Sequence, residues 1–241
     1  MKLFFRKLGQ GHPLIILHGL FGASDNWLSI AKVLAETYEV FLVDQRNHGQ
    51  SPHSDTFNYH VLAEDLKEFI FQESILNPII VGHSMGGKVA MQYAVQNPTS
   101  FTKLIVVDIA PKVYPVHHDQ ILDGLNSLRL NALKSRGDAD KQLAQYIPEI
   151  GVRQFLLKNL GRGENGFQWK INLPILTKNI AIIGAGLEGN LISGNEVLFI
   201  RGQNSNYILD EDSTIIEQKF PGSQLETIEH AGHWVHAERP E

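Results

Sequence analysis

The 241-residue chain contains no cysteine, which excludes disulfides, thiolate metal sites and a cysteine nucleophile. Covalent chemistry therefore falls to serine, threonine, lysine or a carboxylate. No run approaches the ~18 apolar residues that a membrane-spanning helix needs. The opening Met1-Lys2-Leu3-Phe4-Phe5-Arg6-Lys7 returns to positive charge too soon for a secretory signal. A cytoplasmic protein without membrane association is expected. Basic excess is missing as well. Twenty-one Lys and Arg against 26 Asp and Glu leave a formal charge of -5, and without a Lys/Arg cluster nucleic acid is not an expected partner. A G-x-x-x-x-G-K-[ST] phosphate loop is also absent, so a nucleotide role has little support, and neither cofactor nor metal is expected.

The composition that remains, 43% hydrophobic and 20% charged, suits one globular domain with an ample core. Short apolar runs at residues 14–17, 40–43, 79–81, 104–107, 197–200 and 225–228 read as buried strands. Between the first four lie amphipathic segments of helical period at 27–36, 59–73 and 85–96. That alternation predicts a mostly parallel, doubly wound α/β sheet. Residues 2–8, followed by Gly9-Gln10-Gly11-His12-Pro13, read as an antiparallel edge strand feeding the first parallel one. From 111 to 195 the alternation stops. Only helix-like pieces appear there, at 117–128, 139–147, 152–160 and 173–183. The expected division is a core of residues 1–110 and 196–241 with a helical cap inserted at 111–195, where the carboxyl ends of parallel strands bind ligands. Phe155, Leu156, Phe167 and Trp169 are expected to form the cap's own core.

Directly after the apolar run 78–81 stands Gly82-His83-Ser84-Met85-Gly86, a G-x-S-x-G stretch. After a strand and before a helix it reads as a nucleophile elbow, with Ser84 raised above the sheet on a tight turn. A serine hydroxyl needs a base, and the base needs an orienting group. His233, in Glu229-His230-Ala231-Gly232-His233-Trp234 just beyond the last strand, has the best address for the base. His230 and His236 are its rivals, while His18 and His83 sit in glycine-flanked motifs with structural duties. No acid follows the strand ending at Ile200 before Asp210, Glu211 and Asp212, which read as a solvated helix start. Asp108, at the end of the buried run 104–107, is the better orienting acid, since a charge there needs a partner. Backbone N–H groups of Met85 and Leu20, with Phe21 behind Leu20, are the expected oxyanion donors. Asp44 and Arg46 are expected to pair and brace their loop, and Asp25 and Asn26 to cap the helix before Trp27.

These residues resemble the α/β-hydrolase superfamily across nearly the whole chain, in the order Ser84, Asp108, His233. More narrowly, five stretches are similar to the bacterial YbfF-type esterases. They are His18-Gly19-Leu20-Phe21-Gly22, Arg46-Asn47-His48-Gly49, Gly82-His83-Ser84-Met85-Gly86-Gly87-Lys88, Asp108-Ile109-Ala110-Pro111 and Ala231-Gly232-His233-Trp234-Val235-His236-Ala237-Glu238. The resemblance implies a serine esterase of short to medium acyl esters or thioesters, with a helical cap and the acid after the earlier strand. It also implies that Ser205 stands near the histidine, where relatives outside the group keep an aspartate. The chain ends at Glu241, whereas members of the group usually continue into a last helix.

Two other readings stay open. Similar folds break carbon–carbon bonds with a like serine and histidine, and Arg129, Arg136, Arg153 and Arg162 would then grip a dicarboxylate or diketone. A ligand sensor with a slow or silent triad is the other. Dehalogenase and epoxide-hydrolase chemistry is excluded because those relatives need an aspartate at the place of Ser84.

Overall fold

A computed structural model describes residues 1–115, 118–164, 166–191 and 194–241. The amino-terminal half alternates strand and helix: β1 (Phe5–Leu8), β2 (His12–Leu17), α1 (Leu28–Leu34), β3 (Tyr38–Val43), α2 (Tyr59–Gln72), β4 (Ile79–His83), α3 (Met85–Gln96) and β5 (Lys103–Val107). Then follow α4 (Asp119–Ser127), α5 (Arg136–Leu143), α6 (Ile150–Leu157), β6 (Leu160–Gly163), β7 (Gly166–Trp169), α7 (Leu173–Lys178) and α8 (Ile180–Ile183). The chain closes with β8 (Glu196–Gly202), α9 (Ser213–Lys219), β9 (Gln224–Ile228) and α10 (Val235–Glu238). Among the described residues no helix is long and apolar enough to cross a membrane.

Seven strands form one sheet in the order β1-β3-β2-β4-β5-β8-β9, all parallel except β1. Side chains of a strand point alternately to its two faces, and the core divides accordingly. Ile15, Leu17, Phe41, Val43, Ile80, Leu104, Val106 and Phe199 pack with α2, α3 and α9. Leu14, Ile16, Val40, Leu42, Ile79 and Val81 face Trp27, Ala31 of α1 and Val235 of α10. β3 lies on one side of β2 and β4 on the other, so the strand order reverses at the β2–β4 pair. Loops leaving the carboxyl ends of these two strands diverge there, which opens the crevice in which such sheets bind ligands.

Several expectations need correction. β1 begins at Phe5 rather than Lys2, although it is the antiparallel edge strand expected, and it pairs with β3. The helix expected at 27–36 is shorter, α1 at Leu28–Leu34, and a 3-10 turn, Ser24–Trp27, precedes it. There the Asn26 side chain accepts the N–H of Ala23 at 2.7 Å, while Asp25 turns away to Arg6 at 2.8 Å. In the 111–195 segment, α5 starts early because the Ser135 hydroxyl accepts the Asp138 N–H. The piece at 152–160 ends sooner, since Leu160 already belongs to the β6–β7 hairpin, an antiparallel pair absent from the expected all-helical segment. Residues 173–183 break at Asn179 into α7 and α8. The expected start at His117 lies outside the described residues. The two arms of the segment are bonded to each other, Tyr114 N–H to Gly184 O at 2.8 Å and Leu187 N–H to Pro111 O at 3.0 Å.

Candidate active site

Ser84 sits between β4 and α3 with φ 53° and ψ -119°, a conformation that costs a non-glycine residue of the order of 1–3 kcal/mol. Its N–H donates to Val107 O on the neighbouring strand at 3.0 Å, which helps to hold the turn. Close approach, not positive φ, explains the flanking glycines. A Cβ on Gly82 would stand 2.3 Å from Gly86 O, and one on Gly86 would stand 2.5 Å from Leu17 O. With those side chains missing, α3 starts hard against β2 and the Ser84 hydroxyl faces the crevice.

Asp108 follows β5 with φ 51° and is fully buried. Its N–H donates to Ile200 O at 2.7 Å, and Oδ1 accepts the Gly202 N–H at 3.0 Å, so the carboxylate is held between β5 and β8. Oδ2 accepts from His233 Nδ1 at 2.8 Å and from the Ser205 hydroxyl. Since an ionised carboxylate only accepts, His233 carries its proton on Nδ1, and Nε2 has no protein partner among the described residues. The imidazole lies against the Tyr207 ring, 3.9 Å between centroids and 17° from parallel. Asp108 and His233 are thus brought together, and Ser205 joins them on the carboxylate rather than on the imidazole. Neither His230 nor His236 reaches Asp108. His236 stacks on Trp27 at 4.1 Å, and burial holds it neutral, its pKa pushed down to about 4. Asp210 is exposed and pairs with Arg201, but Asp212 is not the solvated residue expected. It is buried and accepts the Leu209 N–H at 2.8 Å and the Lys112 ammonium at 2.5 Å.

The loop after β2 is built on buried neutral histidines. His18 donates from Nδ1 to Gly19 O at 2.8 Å and accepts the Gln45 N–H on Nε2 at 3.0 Å. His48 donates to Arg46 O at 2.9 Å and accepts the Phe21 N–H at 3.3 Å. Burial lowers both pKa values, that of His48 to about 3, with His18 adding to the effect. The Phe21 N–H is therefore occupied, whereas the N–H groups of Leu20 and Met85 have no protein acceptor among the described residues. His83 donates from Nε2 to the carbonyl of His233 at 2.8 Å and is held neutral by burial, so it braces the returning loop. Asp44 and Arg46 do not pair. Asp44 accepts the N–H groups of Ser24 and Gln50, while Arg46 reaches Asp65 at 2.6 Å and 2.9 Å.

Above these groups lies a cavity of about 750 Å3, bordered by Leu20, Phe21, Ser84, Ser205, Tyr207 and His233. Trp27, Val113, Ile121, Val152, Phe155, Leu156 and Trp234 give it apolar walls. Leu156 is buried in the core and also meets the cavity, whereas Phe167 and Trp169 pack against the core without bordering it. None of the four arginines considered for dicarboxylate recognition borders it. Arg136 and Arg153 hold backbone carbonyls, Arg153 also holds Asp140, and Arg162 lies over Phe167. Sequence reasoning missed three supports, Asn159, His48 and Tyr207. Asn159 donates to Phe21 O at 2.6 Å, joining the segment before β6 to the loop after β2. For Asn159 the sequence holds no local signal. Tyr207 stands two residues beyond Ser205, so the loop singled out for its missing acid contained it.

A family model described as the alpha/beta hydrolase fold matches residues 12–128. The chain is 37% identical over 237 residues to the sn-1-specific diacylglycerol lipase ABHD11 of Xenopus laevis, covering 95% of this chain and 76% of that protein. It is 36% identical over 230 residues to esterase YbfF of Escherichia coli (strain K12), covering 95% and 89%. A solved marine microorganism esterase superposes with a TM-score of 0.96 at 45% identity, over 99% of this chain and 95% of the other. With a sheet that reverses at the serine-bearing strand and relatives named as esterases, the chain belongs to the α/β-hydrolase fold family, among its carboxylic-ester hydrolases of the YbfF type.

Proposed function

We propose that hydrolysis runs through an acyl-enzyme on Ser84, with His233 as base and then acid and Asp108 as its orienting group. One observation carries the reading. His233 is hydrogen-bonded through Nδ1 to a fully buried carboxylate, leaving Nε2 for the cavity that Ser84 also borders. The Ser84 Oγ–H proton passes to Nε2 as the Oγ–carbonyl bond forms, and the oxyanion takes the N–H groups of Leu20 and Met85. Collapse breaks the bond to the alcohol or thiol, which leaves with the proton from His233. Water then repeats the sequence on the acyl-enzyme and releases the acid. Phe21 contributes cavity wall, and Ser205 shares the charge of Asp108.

In the same proposal residues 1–110 and 196–241 are the core and 111–195 the cap that roofs the cavity. The volume and apolar walls favour short to medium acyl groups, and the lipase name of the frog relative makes acylglycerols one substrate class to include. The test is a panel of p-nitrophenyl esters, acyl thioesters and acylglycerols of rising chain length on the wild type and Ser84→Ala. Turnover by the wild type that disappears in Ser84→Ala is expected. Equal turnover by both would overturn the role of Ser84.

A further inference from the structure

Lys88 lies in the first turn of α3, four residues after Ser84, and is 1% exposed. Among the described residues no carboxylate touches it. Its ammonium donates to Lys112 O at 2.5 Å and Ala185 O at 2.6 Å, and it lies 5.1 Å from the centre of the Tyr114 ring. Those two carbonyls belong to the outgoing and returning arms of the 111–195 segment. Burial, with Lys112 nearby, pushes its pKa down to about 7. A cation in the first turn of a helix also opposes the helix dipole. An apolar side chain would fill this space without either cost, so the ammonium is explained by what it holds.

What it holds leads to the site. The Tyr114 hydroxyl accepts the Ala110 N–H at 2.7 Å, two residues past Asp108, and donates to Tyr207 O at 2.6 Å. The Tyr207 ring in turn lies on His233. Lys112, Val113, Tyr114 and Pro115, the stretch that Lys88 fastens, all border the cavity.

We propose that Lys88 is a positioning residue for acyl-chain selection: its terminal nitrogen, which has N–H donors for both carbonyls whether charged or neutral, ties both arms of the cap to the helix that begins at the nucleophile, and so fixes the cavity wall formed by residues 112–115. The proposal rests on the esterase reading of the cavity.

Lys88→Met keeps an unbranched side chain, one atom shorter, and removes its donors. Two quantities are to be measured. One is the ratio of kcat/KM for p-nitrophenyl octanoate to that for the acetate, per active site labelled by a fluorophosphonate. The other is amide hydrogen exchange at Tyr114 and Leu187, whose N–H groups join the two arms. The expected result is a fall in the octanoate-to-acetate ratio of about tenfold or more, together with exchange at both amides faster by about tenfold. General destabilisation lowers the active fraction and leaves the per-site ratio alone. A change in only one quantity, or in neither, overturns the proposal. Where Lys88→Met does not fold, Lys88→Gln is read in the same way, and failure of both to fold marks Lys88 as a folding residue and overturns the positioning role. Absence of ester turnover in the wild type would instead strike the esterase reading, and the exchange result would still say whether Lys88 holds the arms.

Discussion

Ser84 holds a backbone conformation that a residue without a Cβ adopts at less cost, and the surrounding turn offers no relief. Ser84→Gly is therefore expected to raise the urea midpoint, by the equivalent of about 1 kcal/mol, while turnover falls about 10³-fold or more. A midpoint that drops would show that the strain is not real. For the acid proposed to orient His233, Asp108→Asn should cost about 10²–10⁴-fold in kcat, because an amide turned toward Nδ1 favours the wrong imidazole tautomer. Steady-state kinetics on Asp108→Asn and on Asp212→Asn separate the two acids. Ser205→Ala should lose only about three- to tenfold. Asp108 was legible because a charge ends a buried strand and no acid follows the later one. His48 and Tyr207 were not, since their parts depend on long-range contacts with Phe21 and His233 that no local pattern encodes.

Helix α3 matched its expected limits, residues 85–96, because a strained serine opens it and two glycines let it start against the sheet. Gly86→Ala should thus push α3 away from Leu17 O, cost roughly 1–3 kcal/mol in urea unfolding and lower kcat along with it. The β6–β7 hairpin escaped notice for a different reason. Its strands have four residues each and carry Gly161, Gly163 and Gly166, so neither alternation nor β-branched content marks them. Lys88 gives its own helix a pH signature. Its pKa is about 7 when folded and near ~10.4 for an unfolded lysine, so between these values the unfolded chain binds the extra proton. Stability contributed by this group must then rise with pH from about 7 to 10, and urea midpoints of the wild type against Lys88→Met over that range should show the difference.

The parallel, doubly wound character of the sheet was readable from the alternation of runs, but its strand order, with β1 beside β3, was not, because the sequence neighbour of a strand need not be its spatial one. The buried imidazoles act on the molecule as a unit. His18, His48, His83 and His236 all have folded pKa values below the ~6.5 of an unfolded histidine. Below pH 6.5 the unfolded chain takes up protons that the folded one refuses, so stability falls on acidification, by up to about 1.4 kcal/mol per pH unit for each such proton. Urea titrations between pH 6.5 and 4 should show that slope, and His236→Phe should make it shallower. Because Trp27 lies flat on His236 and, with Trp234, borders the cavity, two of the chain's three tryptophans are solvated by whatever fills that space. Their emission should shift to shorter wavelength when an acyl group displaces water, while Trp169 in β7 stays silent, so the protein carries a built-in optical gauge of its own occupancy.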